Sequence, residues 1–176
     1  MAFDIQQIRS DFPILQQQVY NKPLVYLDNG ATTQKPRVVI DTIRDLQEKQ
    51  NSSIHRGIHY LSEQMTSRYE AARETVRAFL NARSTNEIVF TSGATGSINA
   101  VAFSFGEKHV SAGDEVLISE MEHHSNIVPW QMLCEKTGAS LKVIPMNADG
   151  ELIMETYHEL LNENTKLVFC NHVSNA

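Results

Sequence analysis

The densest run of chemistry-bearing side chains in the chain is Glu122-His123-His124-Ser125-Asn126. An imidazole takes up or gives away a proton near neutral pH, and its flat ring can also stack on a planar ligand. A metal centre would need ligands that converge. Neighbouring loop residues diverge, and neither an HExxH spacing nor a cysteine partner lies nearby. The run therefore reads as an acid/base or stacking site, with a solvated loop as the plain alternative. A second cluster, Ser92-Gly93-Ala94-Thr95, joins a strand to a helix. Small residues there let the backbone approach a ligand, and the free N–H groups of a helix N-terminus favour a phosphate. An ordinary capped turn is the competing reading. In the third, His55-Arg56-Gly57-Ile58-His59, the two histidines stand four apart, but Gly57 and the polar surroundings argue for a loop rather than a metal-binding helix face. An Arg and a His in one loop can receive an anionic substrate, and a plain polar loop would look the same. Cys134 and Cys170, on an apolar helix face and in an apolar strand, read as small buried hydrophobes rather than nucleophiles.

The elements that must position these clusters follow from periodicity. Residues 1–20 read as a short amphipathic helix and an extended lead. Leu24–Asp28 reads as a strand closed by Asn29-Gly30. A helix follows from Pro36 to about Gln50, with proline in its first turn. Residues 51–59 form a loop. A long helix spans about 60–82, its apolar face built from Leu61, Met65, Tyr69, Ala72, Val76 and Phe79. Strands are then expected at Glu87–Thr91, Glu115–Ser119, Leu141–Pro145 and Lys166–Asn171, with helices at 94–106, 126–138 (closed by Gly138) and 155–162. Short apolar strands alternating with helices imply a three-layer αβα fold of the α/β class around a mainly parallel sheet. In such sheets ligands bind beyond the carboxyl ends of the strands. Three polar clusters fall there: 92–95, 120–126 and Asn171–Asn175.

Length and composition narrow the field. The 176 residues, 41% hydrophobic and 20% charged, suit one globular domain. A formal net charge of −6 and the lack of any Lys/Arg cluster weigh against nucleic acid as partner. No apolar run is long enough to cross a bilayer, and the first residues lack the pattern of a secretory signal. Two widely spaced cysteines make neither a disulfide framework nor a four-ligand zinc site, so a reducing cytoplasm is the expected location. The chain stops just after an apolar strand, from which a fragment of a longer protein is expected.

Six stretches taken in order resemble the N-terminal part of SUF-type cysteine desulfurases, in the class V aminotransferase branch of fold type I pyridoxal-phosphate enzymes. They are YLDNGATTQKP (26–36), IHRGIHYLSEQMT (54–66), EIVFTSGATGSIN (87–99), MEHHSNIVPWQML (121–133), VIPMNADGEL (143–152) and FCNHVSN (169–175). The resemblance implies an aspartate aminotransferase-like large domain, present only in part. Residues 1–20 would be the N-terminal helix and lead, and 21–176 the incomplete cofactor domain. It implies pyridoxal 5'-phosphate as cofactor, with Ala94 and Thr95 at its phosphate. His123 would lie on its ring and serve as the catalytic proton carrier, and Asn175 would sit near its O3′ and the substrate carboxylate. Ala31, His55 and Arg56 would line the substrate pocket and its mouth. Gly30 stands where the family commonly has alanine. The implied reaction converts L-cysteine to L-alanine and passes a persulfide to a SUF acceptor protein for iron–sulfur assembly, in a homodimer. The lysine that binds the cofactor, the aspartate facing its ring nitrogen, the persulfide cysteine and the carboxylate-binding arginine of the family match nothing in 1–176. The seven lysines lie outside its motif, so this chain alone is expected to be inactive. A selenocysteine lyase, a kynureninase-like hydrolase and a non-catalytic fragment are the alternatives.

Overall fold

The computed structural model describes residues 3–174, and the chain divides into two compact units, 1–89 and 90–176. The first opens with helix α1 (Ile5–Ser10), capped by Asp4, whose carboxylate accepts the N–H groups of Gln6 and Gln7 at 3.0 and 3.1 Å. The extended lead is in fact folded back on itself. Strands β1 (Gln18–Val19) and β2 (Lys22–Pro23) form a small hairpin, turned by Tyr20 and Asn21 at φ of 53° and 60°. Positive φ at both central residues matches the turn to the twist of the strands.

Two expected strands are absent. Leu24–Asp28 keeps the alternation of one, with Leu24 and Tyr26 half-buried and Val25 and Leu27 exposed, but beyond the Leu24 N–H, which donates to Gln17 O at 3.0 Å, it joins no ladder among the described residues. Instead the Tyr26 hydroxyl lies 3.1 and 2.6 Å from the carbonyls of Asp28 and Thr32 and holds the turn between them. In Glu87–Thr91, Thr85–Glu87 forms one helical turn. Ile88 is extended and buried, yet its carbonyl accepts from Arg73 Nε at 3.3 Å rather than from a neighbouring strand. Side-chain pattern alone does not supply a partner.

Helices α2 (Arg37–Lys49) and α3 (Tyr60–Phe79) complete this unit. Pro36 caps α2 from just outside it. On the expected apolar face of α3, Met65, Tyr69 and Val76 are half-buried, whereas Leu61, Ala72 and Phe79 are exposed.

The second unit starts with helix α4 (Ala94–Val101), which widens into a π-helical stretch over Ala102–Gly106 and ends as α5 (Glu107–His109). A Cβ on Gly106 would meet Leu133 Cδ2 at 2.7 Å, so glycine permits the close approach of the stretch to helix α6 (Val128–Thr137). Strands β3 (Glu115–Ser119), β4 (Ser140–Ile144) and β5 (Thr165–Phe169) form a parallel sheet in the order β4–β3–β5, with α6 and α7 (Met154–Leu160) as the crossovers. Gly138, at φ 79°, closes α6 by donating its N–H to Cys134 O at 2.9 Å.

The central strand is the most buried. Val116 and Ile118 share one face with Trp130, Leu133, Cys134, Ala102 and Val110, and Leu117 is fully buried on the other. Trp130 lies flat on Phe169, ring centres 3.8 Å apart and 14° from parallel. Trp130→Ala is expected to lower the unfolding free energy by about 3–5 kcal/mol in chemical denaturation, and a loss below about 1 kcal/mol would remove the ring from the core.

Candidate active site

Parallel pairing lays the carboxyl ends of β3, β4 and β5 side by side, with Ser119 opposite Ile144 and Ile118 opposite Phe169. The chain leaving β3 carries Met121 to Asn126, and the chain leaving β5 carries Asn171 to Ser174. Glu122 joins them. Only 8% exposed, it takes three hydrogen bonds: from Ser119 Oγ at 2.5 Å, the Asn171 backbone N–H at 2.7 Å and Asn126 Nδ2 at 2.7 Å. Asn126 Oδ1 in turn accepts the Trp130 indole N–H at 2.8 Å. The Met121 carbonyl accepts from Asn171 Nδ2 and Ser174 Oγ, both at 3.0 Å.

His123 is exposed, and its Nδ1 lies 3.1 Å from the Ser125 backbone nitrogen and 2.9 Å from Ser125 Oγ. A backbone N–H can only donate, so Nδ1 accepts and the neutral ring carries its proton on Nε2. His124 meets that ring edge-on at 6.1 Å.

The turn 124–126 packs against α4, the helix that begins with Ala94 and Thr95. Gly93 precedes α4 at φ 141° and ψ 177°, a conformation open to glycine, and nothing lies within 4 Å of where a Cβ would stand. The Ser97 N–H bonds Gly93 O. The N–H groups of residues 94–96 have no acceptor within the helix. Thr95 Oγ1 makes no hydrogen bond among the described residues, and the first turn holds no acidic side chain. Open backbone donors, a free hydroxyl and no competing carboxylate suit a phosphate, and an exposed flat imidazole on the adjoining turn suits a planar ring. On this donor set pyridoxal 5'-phosphate fits.

In the first unit, His55 takes a left-handed φ of 61°, which costs a residue with a Cβ about 1–2 kcal/mol. Several contacts hold it there. Its N–H donates to Thr66 Oγ1 at 3.0 Å, and its Nε2 meets Glu70 Oε1 at 2.9 Å. Arg73 grips both oxygens of Glu70 and reaches the carbonyls of Thr85 and Ile88. Gly57 has no room for a side chain, because a Cβ would meet the Cβ of the fully buried Ser62 at 2.7 Å. Ser62 Oγ accepts the Gly57 N–H and donates to Ser53 O. Arg56 is exposed and makes no hydrogen bond or ion pair among the described residues. Ala31 sits in the turn held by Tyr26, its N–H on Asp28 O at 3.2 Å. Asn175 lies outside the described residues.

Ala94, Thr95 and His123 thus lie in the second unit, and Ala31, His55 and Arg56 in the first. The anchoring residues Glu122, Asn126, Glu70 and Arg73 were missed as such. Their spacings, four and three along the chain, were the available signal. Among the described residues, no group of three or more His, Cys, Asp and Glu is placed to hold a metal ion, and no helix is long and apolar enough to cross a membrane. A cavity of about 500 Å³ beside the strand ends is bordered by Met121, Met146, Asn147 and Ser174.

The two cysteines part company. Cys134 is buried, and burial pushes its thiol up. Cys170, expected to be buried, is exposed: β5 ends at Phe169, and the alternation of Lys166 and Val168 carries residue 170 to the outward face. Cys170 should alkylate first near pH 8. Cys134 should follow only at higher pH or after unfolding, because thiolate is the reactive form. Mass spectrometry of the time course checks the order, and prior labelling of Cys134 would contradict it.

Residues 25–176 match the family model described as aminotransferase class-V. The chain is 52% identical over 176 residues to a cysteine desulfurase of Synechococcus elongatus, covering 28% of that protein. It is 50% identical over 175 residues to a probable cysteine desulfurase of Staphylococcus aureus, covering 42% of it. Among solved structures, the apo cysteine desulfurase of Thermococcus onnurineus aligns with a TM-score of 0.88 and 33% identity, over 100% of this chain and 42% of that one. The cysteine desulfurase CsdA of Escherichia coli aligns with a TM-score of 0.79 and 36% identity, over 96% of this chain and 41% of that one. The chain therefore spans well under half the length of these relatives.

Proposed function

We propose, because the chain belongs to the class-V aminotransferase family, that it forms the front part of a SUF-type cysteine desulfurase. Such an enzyme converts L-cysteine to L-alanine and passes the sulfur, as persulfide, to an acceptor protein for iron–sulfur assembly. The observation that supports the reading is the packing of the glycine-led helix α4 against the turn that follows His123, whose Nδ1 accepts from the Ser125 N–H. When bound, pyridoxal 5'-phosphate supplies an electron sink for the substrate.

The chain's own residues have separate tasks in this reading. The backbone around Ala94 and the hydroxyl of Thr95 hold the phosphate. His123 would stack on the cofactor ring and would hold or give the proton on its Nε2. Asn175, which is outside the described residues, would serve the substrate carboxylate. Ala31 lines the substrate pocket. Arg56, with a guanidinium free to turn, and His55, pinned by Glu70, receive the amino acid at a mouth shared between two protomers. Residues 21–176 would belong to the cofactor-binding large domain, of a cytoplasmic homodimer.

In the whole protein, His123→Ala should lower alanine release from cysteine by about 10²–10⁴-fold while cofactor absorbance remains. Thr95→Val should weaken cofactor binding about tenfold, as expected for one hydrogen bond to a charged group. The 176-residue chain alone should release no alanine and should take up no stoichiometric pyridoxal phosphate under borohydride. Alanine release by the chain alone, or full activity of the His123→Ala protein, would overturn the assignment.

A further inference from the structure

We infer that Glu122 is a positioning residue, the centre of a closed ring of contacts that fixes His123 and the Asn171–Ser174 segment relative to each other. The inference rests on the proposed role of His123. The ring runs from the Glu122 carboxylate to Asn126 Nδ2, from Asn126 Oδ1 to the Trp130 indole, and from Trp130 by stacking to Phe169. Two residues further along the chain, the Asn171 N–H returns to Glu122 Oε1.

Every direction in this ring is dictated. The indole N–H and the backbone N–H can only donate, so Asn126 must present oxygen to Trp130 and nitrogen to Glu122, and both carboxylate oxygens must accept. No cation pairs with the carboxylate among the described residues. A buried carboxylate without a cation is costly unless fully hydrogen-bonded, and packing alone would be served as well by an apolar side chain. What the carboxylate adds is direction. It ties the exit of β3 to the exit of β5, while the Met121 carbonyl receives Asn171 and Ser174 on the other side of the same loop. His123 follows immediately, so its ring inherits the position of that clamp.

An isosteric swap tests the assignment. Glu122→Gln sets an amide donor against the Asn126 amide donor, and turning the Asn126 amide moves the conflict to the Trp130 N–H. Combining it with Asn126→Asp restores the ring, since the new amide then donates to the new carboxylate, which still accepts from Trp130. Trp130 is the sole tryptophan of these 176 residues, so in the whole protein its emission is read as the difference from the Trp130→Phe form. Glu122→Gln should shift that emission to the red, and the swap should return it.

In the whole protein, Glu122→Gln should cut kcat for cysteine by about 10- to 100-fold, the cost of a misplaced catalytic group. The swap should recover it to within about threefold, a coupling between two contacting residues that additive losses would not produce. If Glu122→Gln yields no soluble protein, Asn126→Asp alone serves. It faces carboxylate with carboxylate and must be impaired alone yet harmless in the swap. Unchanged kcat and emission in the single variants, or a swap as impaired as they are, overturns the inference. Failure of the cofactor reading looks different: the unmodified whole protein would then bind no pyridoxal phosphate and release no alanine, while the emission changes would persist.

Discussion

Strand β3 is hydrogen-bonded along both edges, to β4 on one side and β5 on the other, and is buried on both faces. Both conditions are needed at once. Pairing fixes where Ser119 ends relative to Ile144 and Phe169, and burial prevents a slip of register, because a one-residue slip would turn every side chain to the wrong face. Ser119 and Glu122, near the end of this strand, then have a defined distance to the residues leaving β5. The polar network beyond the sheet is possible only because that distance is set by backbone geometry rather than by the loops.

Where the sequence spoke plainly, the reason was that neighbours in the chain decide the outcome. The bounds of β3, the closure of α6 at Gly138 and the loop nature of 51–59 are local matters of apolar run, glycine and polarity. Of the polar clusters expected at strand ends, 120–126 and the residues after β5 do follow strands, whereas 92–95 follows a segment that joins no sheet among the described residues. Failures came where the partner is distant. Leu24–Asp28 and Ile88 have the side-chain pattern of strands, but no neighbouring strand offers them a ladder, and Tyr26 and Arg73 serve their surroundings instead. Cys170 lies in an apolar run, yet its exposure depends on one step of alternation beyond Phe169. Glu122 belonged to a histidine-rich loop that read as an acid/base or stacking site rather than a metal centre, with no separate role for the carboxylate. Two of its partners, Ser119 and Asn126, are near in the chain, but Asn171 is 49 residues away, and no local pattern reveals that bond.

The first unit treats its loop in the same manner with different means. The 53–57 segment is held to α3 by Ser62, Thr66 and Glu70, one turn after another along a single helix. The close packing of Gly57 and the positive φ of His55 are both absorbed by that helix. A loop with two unusual backbone positions thereby acquires one conformation, and Arg56 is the side chain it leaves at liberty.

The hydrogen bond from Asn171 to Glu122 spans 49 residues of chain. At ribosomal speeds of 5–20 residues per second that interval lasts roughly 2–10 s. Until β5 emerges, β3 can pair on one edge alone, and Glu122 keeps its water. The histidine run is thus synthesised well before the segment that locks it, and the nascent sheet presents an unpaired edge throughout. For that interval the unpaired edge of β3 is the part of the nascent sheet most open to mispairing.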